Sequence, residues 1–82
     1  WDRATQTETP SQRLERLELA DQVSTALGRI SEEHRTILVL RELEGFDYQA
    51  IAEMLQISLG TVRSRLSRAR AILRQHLPDP PL

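Results

Sequence analysis

The stretch from Ser58 to Leu77, SLGTVRSRLSRARAILRQHL, constrains the fold of this 82-residue chain more than any other. Its apolar residues recur at steps of three and four, which is the period of an α-helix. They are Leu59, Val62, Leu66, Ala69 and Leu73. At about 100° per residue they lie on one side of the helix. The same stretch carries five arginines and no acidic residue. The sequence therefore predicts a helix with one apolar face for burial and a cationic face opposite.

The opposite face of this helix combines small residues with arginines. Its centre holds Gly60, Ser64, Ser67, Arg68 and Ala71, with Arg63, Arg70 and Arg74 along one edge and Thr61 and Arg65 along the other. Such a face suits the major groove of DNA, where small residues allow close approach and arginine binds guanine edges or phosphates. A surface helix with a solvated charged face is the alternative that the helix alone leaves open.

The distribution of charge separates this helix from the rest of the chain. Residues 1–57 carry six arginines and eleven acidic residues, a net charge of −5, whereas residues 58–82 carry five arginines and one acidic residue, a net charge of +4. This polarity indicates a nucleic-acid partner, although the total charge of −1 does not. Every basic residue is arginine, which suits bidentate phosphate and guanine contacts but is equally compatible with a bias in genome base composition.

Composition narrows the classes of protein to which this chain can belong. The absence of cysteine excludes disulfides and thiolate metal sites, and the sequence has no long apolar run or signal peptide. We therefore expect a cytoplasmic protein without a membrane partner. The first residue is Trp rather than Met, which predicts a piece of a longer protein. We expect residues 1–8 to be a linker or disordered N-terminus, residues 9–77 one domain, and residues 78–82 a Pro-rich tail.

Capping residues divide the domain into four helices, so the predicted fold class is all-α. The expected N-caps are Thr9, Ser31, Asp47 and Ser58. The first helix should end near Arg29, the second at Gly45, and the third should run from Tyr48 to about Leu55. Three residues then join the third helix to the fourth, which predicts a C-terminal helix-turn-helix.

Side chains at the expected helix crossing support this motif. Ala52 is small where the two helices meet, Ile57 fills the turn, and Val62 and Leu66 anchor the fourth helix. Gln56 stands where many helix-turn-helix proteins have glycine.

The apolar residues of the second helix predict a surface for binding another protein. Its run of consecutive apolar residues from Ile37 to Leu40, followed by Leu43, covers every side of a helix. One side can face the core, and the side around Val39, Leu40 and Leu43 then needs another cover. We expect a protein partner there; the alternative is that the first helix packs over it. The first helix should itself bury a face formed by Leu14, Leu17, Ala20, Val23, Leu27 and Ile30.

The segment ISEEHRTILVLRELEGFDYQAIAEMLQISLGTVRSRLSRAR resembles region four of bacterial sigma factors and is most similar to the extracytoplasmic-function group. The resemblance runs from about Leu19 to Leu77. Its most specific parts are the block EEHR…LRELEGFDYQAIA and the block GTVRSRLSRAR, which occur in this order and at this spacing.

The resemblance implies a function by binding. Region four of that family binds the −35 promoter element through its recognition helix, docks on the flap of the RNA polymerase β subunit, and is often held by an anti-sigma factor. Carried onto this chain, the base contacts are Arg63, Ser64, Ser67 and Arg68. Thr61 and Arg65 would hold phosphates, Tyr48 would donate to the DNA backbone, and Arg41 and Arg35 are further phosphate candidates.

Other roles for these side chains remain open from the sequence. Arg65 could pair with an acid such as Glu53 or Glu44, and Tyr48 could be a packing residue. Arg70 and Arg74, late in the helix, could be solvated only.

Catalysis is not expected. His34 and His76 are isolated from other ligand residues, which predicts no metal site, and Ser31 and Ser58 are better explained as caps than as nucleophiles. We expect no cofactor and no small-molecule substrate. Two alternatives to a sigma factor remain: the DNA-binding output domain of a response regulator, and a protein-interaction module that binds an anti-sigma factor without contacting DNA.

Overall fold

The computed structural model describes residues 7–79, in which the regular structure is helical throughout. Helix α1 spans Pro10–Gly28, α2 spans Glu32–Leu38 and continues into a π-helical segment, Val39–Leu43, α3 spans Tyr48–Leu55, and α4 spans Leu59–Gln75. The predicted all-α fold of four helices is confirmed. Residues 1–6 of the expected linker and 80–82 of the expected tail lie outside the described residues, so those domain boundaries stay predictions.

The N-terminus of each helix is fixed by the cap that the sequence predicted. Thr9, Ser31, Asp47 and Ser58 each accept a hydrogen bond from the backbone N–H three residues later. At Thr9 the cap is reciprocal, because the Gln12 side chain also accepts from the Thr9 N–H at 3.0 Å. Each cap of this kind contributes about 1 kcal/mol, so local sequence alone determines where the four helices begin.

The end of the second helix differs from a regular α-helix. Its last five residues widen into a π-helical turn, in which the Glu44 N–H donates to the Val39 carbonyl at 2.9 Å. Gly45 then ends the helix in a left-handed conformation, with φ of 75°, as its position predicted. The π-helical segment turns Glu42 and Leu43 away from the register that a continuous α-helix would give them.

The core lies where α2, α3 and α4 meet. Its fully buried large side chains are Ile37, Ile51, Leu66 and Val62. Ala52 and Ala69 are buried beside them and let the helices approach closely, and Ile57 packs against this cluster from the turn. The predicted anchoring of α4 by Val62 and Leu66 is confirmed.

Helix α1 contacts this core only near its C-terminal end, which corrects the expected six-residue buried face. Leu14 and Leu17 are 58% and 52% exposed, whereas Ala26 is fully buried. The junction with α2 is held by Arg35, whose Nε and Nη2 donate to the carbonyls of Leu27 and Ile30, both at 2.8 Å. Helical period placed these apolar residues on one face, but the other helices within residues 7–79 are short and leave the first half of that face exposed.

Within residues 7–79, none of the helices combines the length and the apolar character needed to cross a membrane.

Candidate nucleic-acid interface

The turn between α3 and α4 sets the angle at which α4 is presented. Gln56 is left-handed, with φ of 56° and ψ of 47°. Its N–H donates to the Glu53 carbonyl at 3.3 Å, and the Ile57 N–H donates to the Ala52 carbonyl at 3.0 Å. This pair of bonds is a Schellman motif, the common end of a helix that must turn sharply. The predicted helix-turn-helix is therefore present, and Gln56 adopts the conformation that glycine would take at lower cost.

The four predicted base contacts share one exposed face of α4. Arg63, Ser64, Ser67 and Arg68 are all exposed, while Val62, Leu66 and Ala69 are buried on the opposite side. No carboxylate of residues 7–79 forms an ion pair with Arg63, Arg68 or Arg74. The face thus offers cationic donors separated by small side chains.

The other two arginines of α4 are already paired with glutamates. Arg65 Nη2 lies 2.8 Å from Glu33 Oε1, and Arg70 Nη2 lies 2.6 Å from Glu42 Oε1. An acid does pair with Arg65, but it is neither Glu53 nor Glu44. Arg70 is not merely solvated: the hydrogen bond that it donates to the Glu42 carboxylate raises the pKa of its guanidinium.

Neither glutamate partner was predicted, and no local signal could have identified them. Glu33 and Glu42 precede their arginines by about thirty residues, and both looked like ordinary charges on a solvated helix. Only the packing of α2 against α4 brings them into place.

The residues predicted at the edge of the interface have structural partners as well. The Thr61 hydroxyl lies 2.8 Å from that of Ser58 at the start of α4. Tyr48 is half-buried against the core, with the Arg41 guanidinium 5.1 Å from its ring centroid. Arg41 also donates from Nη1 to the Phe46 carbonyl at 3.0 Å. Tyr48 thus packs against the core, and Arg41 supports the loop between the π-helical segment and α3. Contact of either side chain with DNA stays a prediction.

A second surface lies between α1 and the π-helical segment. The groove there is mostly apolar and is lined by Arg16, Leu19, Ala20, Val23, Ser24, Leu27 and Leu43. Leu43 remains 69% exposed, so α1 runs beside it without covering it. Of the three predicted partner contacts, Leu40 instead packs against the core and Val39 is half-buried. Leu40 follows the buried Ile37 by three residues, which places the two side chains on the same face of a helix.

Comparison with known proteins gives consistent matches. The family model described as "Sigma-70, region 4" matches residues 20–73. The RNA polymerase sigma-H factor of Pseudomonas aeruginosa is 43% identical over 63 residues, covering 77% of this chain and 33% of the relative. The ECF RNA polymerase sigma-E factor of Haemophilus influenzae is 39% identical over 66 residues, covering 80% and 35%. The ECF RNA polymerase sigma factor SigW of Bacillus subtilis is 33% identical over 63 residues, covering 77% and 34%. The chain thus spans about a third of the length of each of these relatives.

Proposed function

Because this chain belongs to the sigma-70 region 4 family, we propose that it binds the −35 promoter element as part of an extracytoplasmic-function sigma factor, which directs RNA polymerase to initiate transcription. The family is not an enzyme family, and its mechanism is binding. The relatives are sigma factors by name, which favours this function over that of a response-regulator output domain.

The observation that carries the proposal is the exposed cationic face of α4, whose Arg63 and Arg68 form no ion pair within residues 7–79. Arg63 and Arg68 bracket Ser64 and Ser67, and none of the four is buried. In a helix-turn-helix the second helix lies in the major groove and its N-terminal residues contact base edges. Arginine there can donate two hydrogen bonds to guanine O6 and N7, which gives sequence preference, while a serine lets the helix backbone approach closely.

The charge distribution supports the same orientation. Residues 58–82, which contain α4, carry +4, and residues 1–57 carry −5. A polyanion attracts the first part and repels the second, so encounters with DNA favour α4 facing the duplex. Affinity should fall steeply with salt, because neutralised phosphates release their counterions.

The groove between α1 and the π-helical segment is the proposed docking site for RNA polymerase, through the flap of its β subunit. Its support is the apolar lining and the 69% exposure of Leu43, a large apolar side chain. An anti-sigma factor that covered the same groove would exclude polymerase. The proposed location is the cytoplasm, where promoter DNA and RNA polymerase are found in bacteria.

The DNA-binding proposal is tested by selecting duplexes from a random pool with the 82-residue chain. One sequence family should be enriched, and its affinity should be measured by fluorescence anisotropy at several salt concentrations. Arg68→Ala should then weaken the selected duplex by about 1–3 kcal/mol, which is about 5- to 150-fold. The reason is the loss of one arginine that no carboxylate in residues 7–79 neutralises.

Arg29→Ala is the matched control, because it removes the same charge from an exposed residue at the end of α1. It should change affinity less than twofold, as expected for a distant surface charge. Failure to enrich any sequence, or an equal loss in both variants, would contradict base recognition by α4.

A further inference from the structure

We propose that Arg65 and Arg70 are positioning residues: their ion pairs with Glu33 and Glu42 hold α4 at its DNA-binding angle, and the two arginines are not themselves DNA ligands. The inference rests on the proposed function, since it concerns how α4 is oriented toward a duplex. It reassigns Arg65, which the family resemblance placed among the phosphate contacts.

The contacts on both sides are short and well formed. Arg65 Nη2 lies 2.8 Å from Glu33 Oε1, and the Arg65 side chain is only 24% exposed. Arg70 Nε donates to Glu42 Oε1 at 2.8 Å, and Arg70 Nη2 forms an ion pair with the same oxygen at 2.6 Å. The Arg65 contact is an ion pair, and the Arg70 contact adds a charge-assisted hydrogen bond, which is stronger than one between neutral groups. Each guanidinium is therefore already oriented by the protein.

The two pairs act on opposite edges of α4. At about 100° per residue, Arg65 and Arg70 are about 140° apart around the helix axis, with the buried Val62, Leu66 and Ala69 between them. Both glutamates belong to the α2 segment, Glu33 in its first turn and Glu42 in its π-helical end. The apolar contact can slide or roll because it has no directional preference, whereas one charged anchor on each edge opposes rotation in both directions.

This arrangement divides the arginines of α4 into two groups. Arg63, Arg68 and Arg74 make no ion pair with any residue from 7 to 79 and are exposed. A phosphate that attracted Arg65 or Arg70 would have to displace a carboxylate and leave that carboxylate near the DNA backbone, which repels it. The unpaired group therefore contacts DNA, and the paired group fixes the face that the unpaired group shares.

The test measures two duplexes against variants of the full 82-residue chain. One duplex is the sequence selected by the unaltered chain, and the other is a scrambled duplex of the same base composition. The variants are Glu33→Gln, Glu42→Gln, Arg70→Gln and the double variant Glu42→Gln with Arg70→Gln. Glu44→Gln is the control, because Glu44 is exposed, directly follows the π-helical segment and forms no ion pair within the described part of the chain.

The informative readout is the ratio of the affinities for the two duplexes, because a change of net charge affects both duplexes alike. Positioning predicts that Glu33→Gln, Glu42→Gln and Arg70→Gln each lower this ratio about fivefold, and that the double variant is no worse than Arg70→Gln. Glu44→Gln should leave the ratio within about twofold. A variant that only unfolds part of the sample lowers both affinities equally, so an unchanged ratio with a lowered melting temperature counts against positioning.

The opposite result identifies Arg70 as a phosphate ligand. Glu42→Gln would then free the guanidinium and raise both affinities, whereas Arg70→Gln would lower both and reduce the salt slope by about 0.9. Opposite signs for these two variants overturn the inference but leave the proposed function intact. If the unaltered chain enriches no sequence, the proposed function fails, and the inference fails with it.

Discussion

Replacing Gln56 with glycine should stabilise this protein. Gln56 is the left-handed residue of the Schellman motif that ends α3, and it is the one non-glycine residue with positive φ in the part of the chain described by the structure. It is exposed, and its side chain makes no hydrogen bond with residues 7–79. The substitution therefore removes strain without removing a contact.

The expected change in the free energy of unfolding follows from two opposing effects. A side chain in the left-handed region costs about 1–2 kcal/mol, which glycine avoids. Glycine loses more backbone entropy on folding than glutamine does, which offsets about 0.5–1 kcal/mol of that gain. The expected net stabilisation is about 0.5–1 kcal/mol, which for a domain of this size raises Tm by about 2–8 °C.

Thermal unfolding followed by circular dichroism measures this shift. The matched control is Gln49→Gly, which makes the same chemical change within α3, where the backbone is right-handed. It should destabilise by about 0.5–1 kcal/mol, since glycine is then disfavoured. If Gln56→Gly leaves Tm unchanged or lowers it while the control behaves as expected, the left-handed strain assigned to Gln56 is wrong.

Three further substitutions test the core, the α1 junction and the groove. Leu66→Ala, at a fully buried site, should destabilise by about 2–5 kcal/mol in urea unfolding, and a loss below 1 kcal/mol would place Leu66 outside the core. Arg35→Met should lower the free energy of unfolding by about 1.5–3 kcal/mol, because the carbonyls of Leu27 and Ile30 lose a charged donor. Hydrogen exchange should show the C-terminal end of α1 opening more often, and unchanged protection there would contradict the role of Arg35 in holding α1 to α2. Leu43→Asp should change stability by less than about 0.5 kcal/mol but weaken binding to RNA polymerase core in a pull-down; unfolding of the variant would show instead that Leu43 is structural.

Local signals in the sequence were sufficient for the helices. Caps at Ser31, Asp47 and Ser58 and the stop at Gly45 are encoded by single residues that satisfy or end backbone hydrogen bonds within three or four positions. The buried face of α4 is likewise encoded by period alone. Such features do not depend on how distant parts of the chain pack, so they can be predicted from sequence.

Only part of the candidate site could be predicted from local signals in the sequence. The positions of Arg63 and Arg68 around the axis of α4 correctly predicted that both side chains would be exposed, because the helix period fixes which side chains point away from the buried face. The same period could not assign Arg65 or Arg70. Their position at the edge of the helix is compatible with DNA or with a carboxylate, and which of these is near depends on another helix.

By itself, the sequence determined that this protein is a four-helix domain ending in a helix-turn-helix, and it determined which side of α4 is buried. Tertiary structure alone decided that Glu33 and Glu42 neutralise two of the five arginines of that helix and that Leu14 and Leu17 stay exposed. The physical reason is the separation along the chain over which each interaction acts. Caps and helical period act over three or four residues, whereas an ion pair between α2 and α4, or the exposure of Leu14 and Leu17 on α1, depends on how distant segments pack.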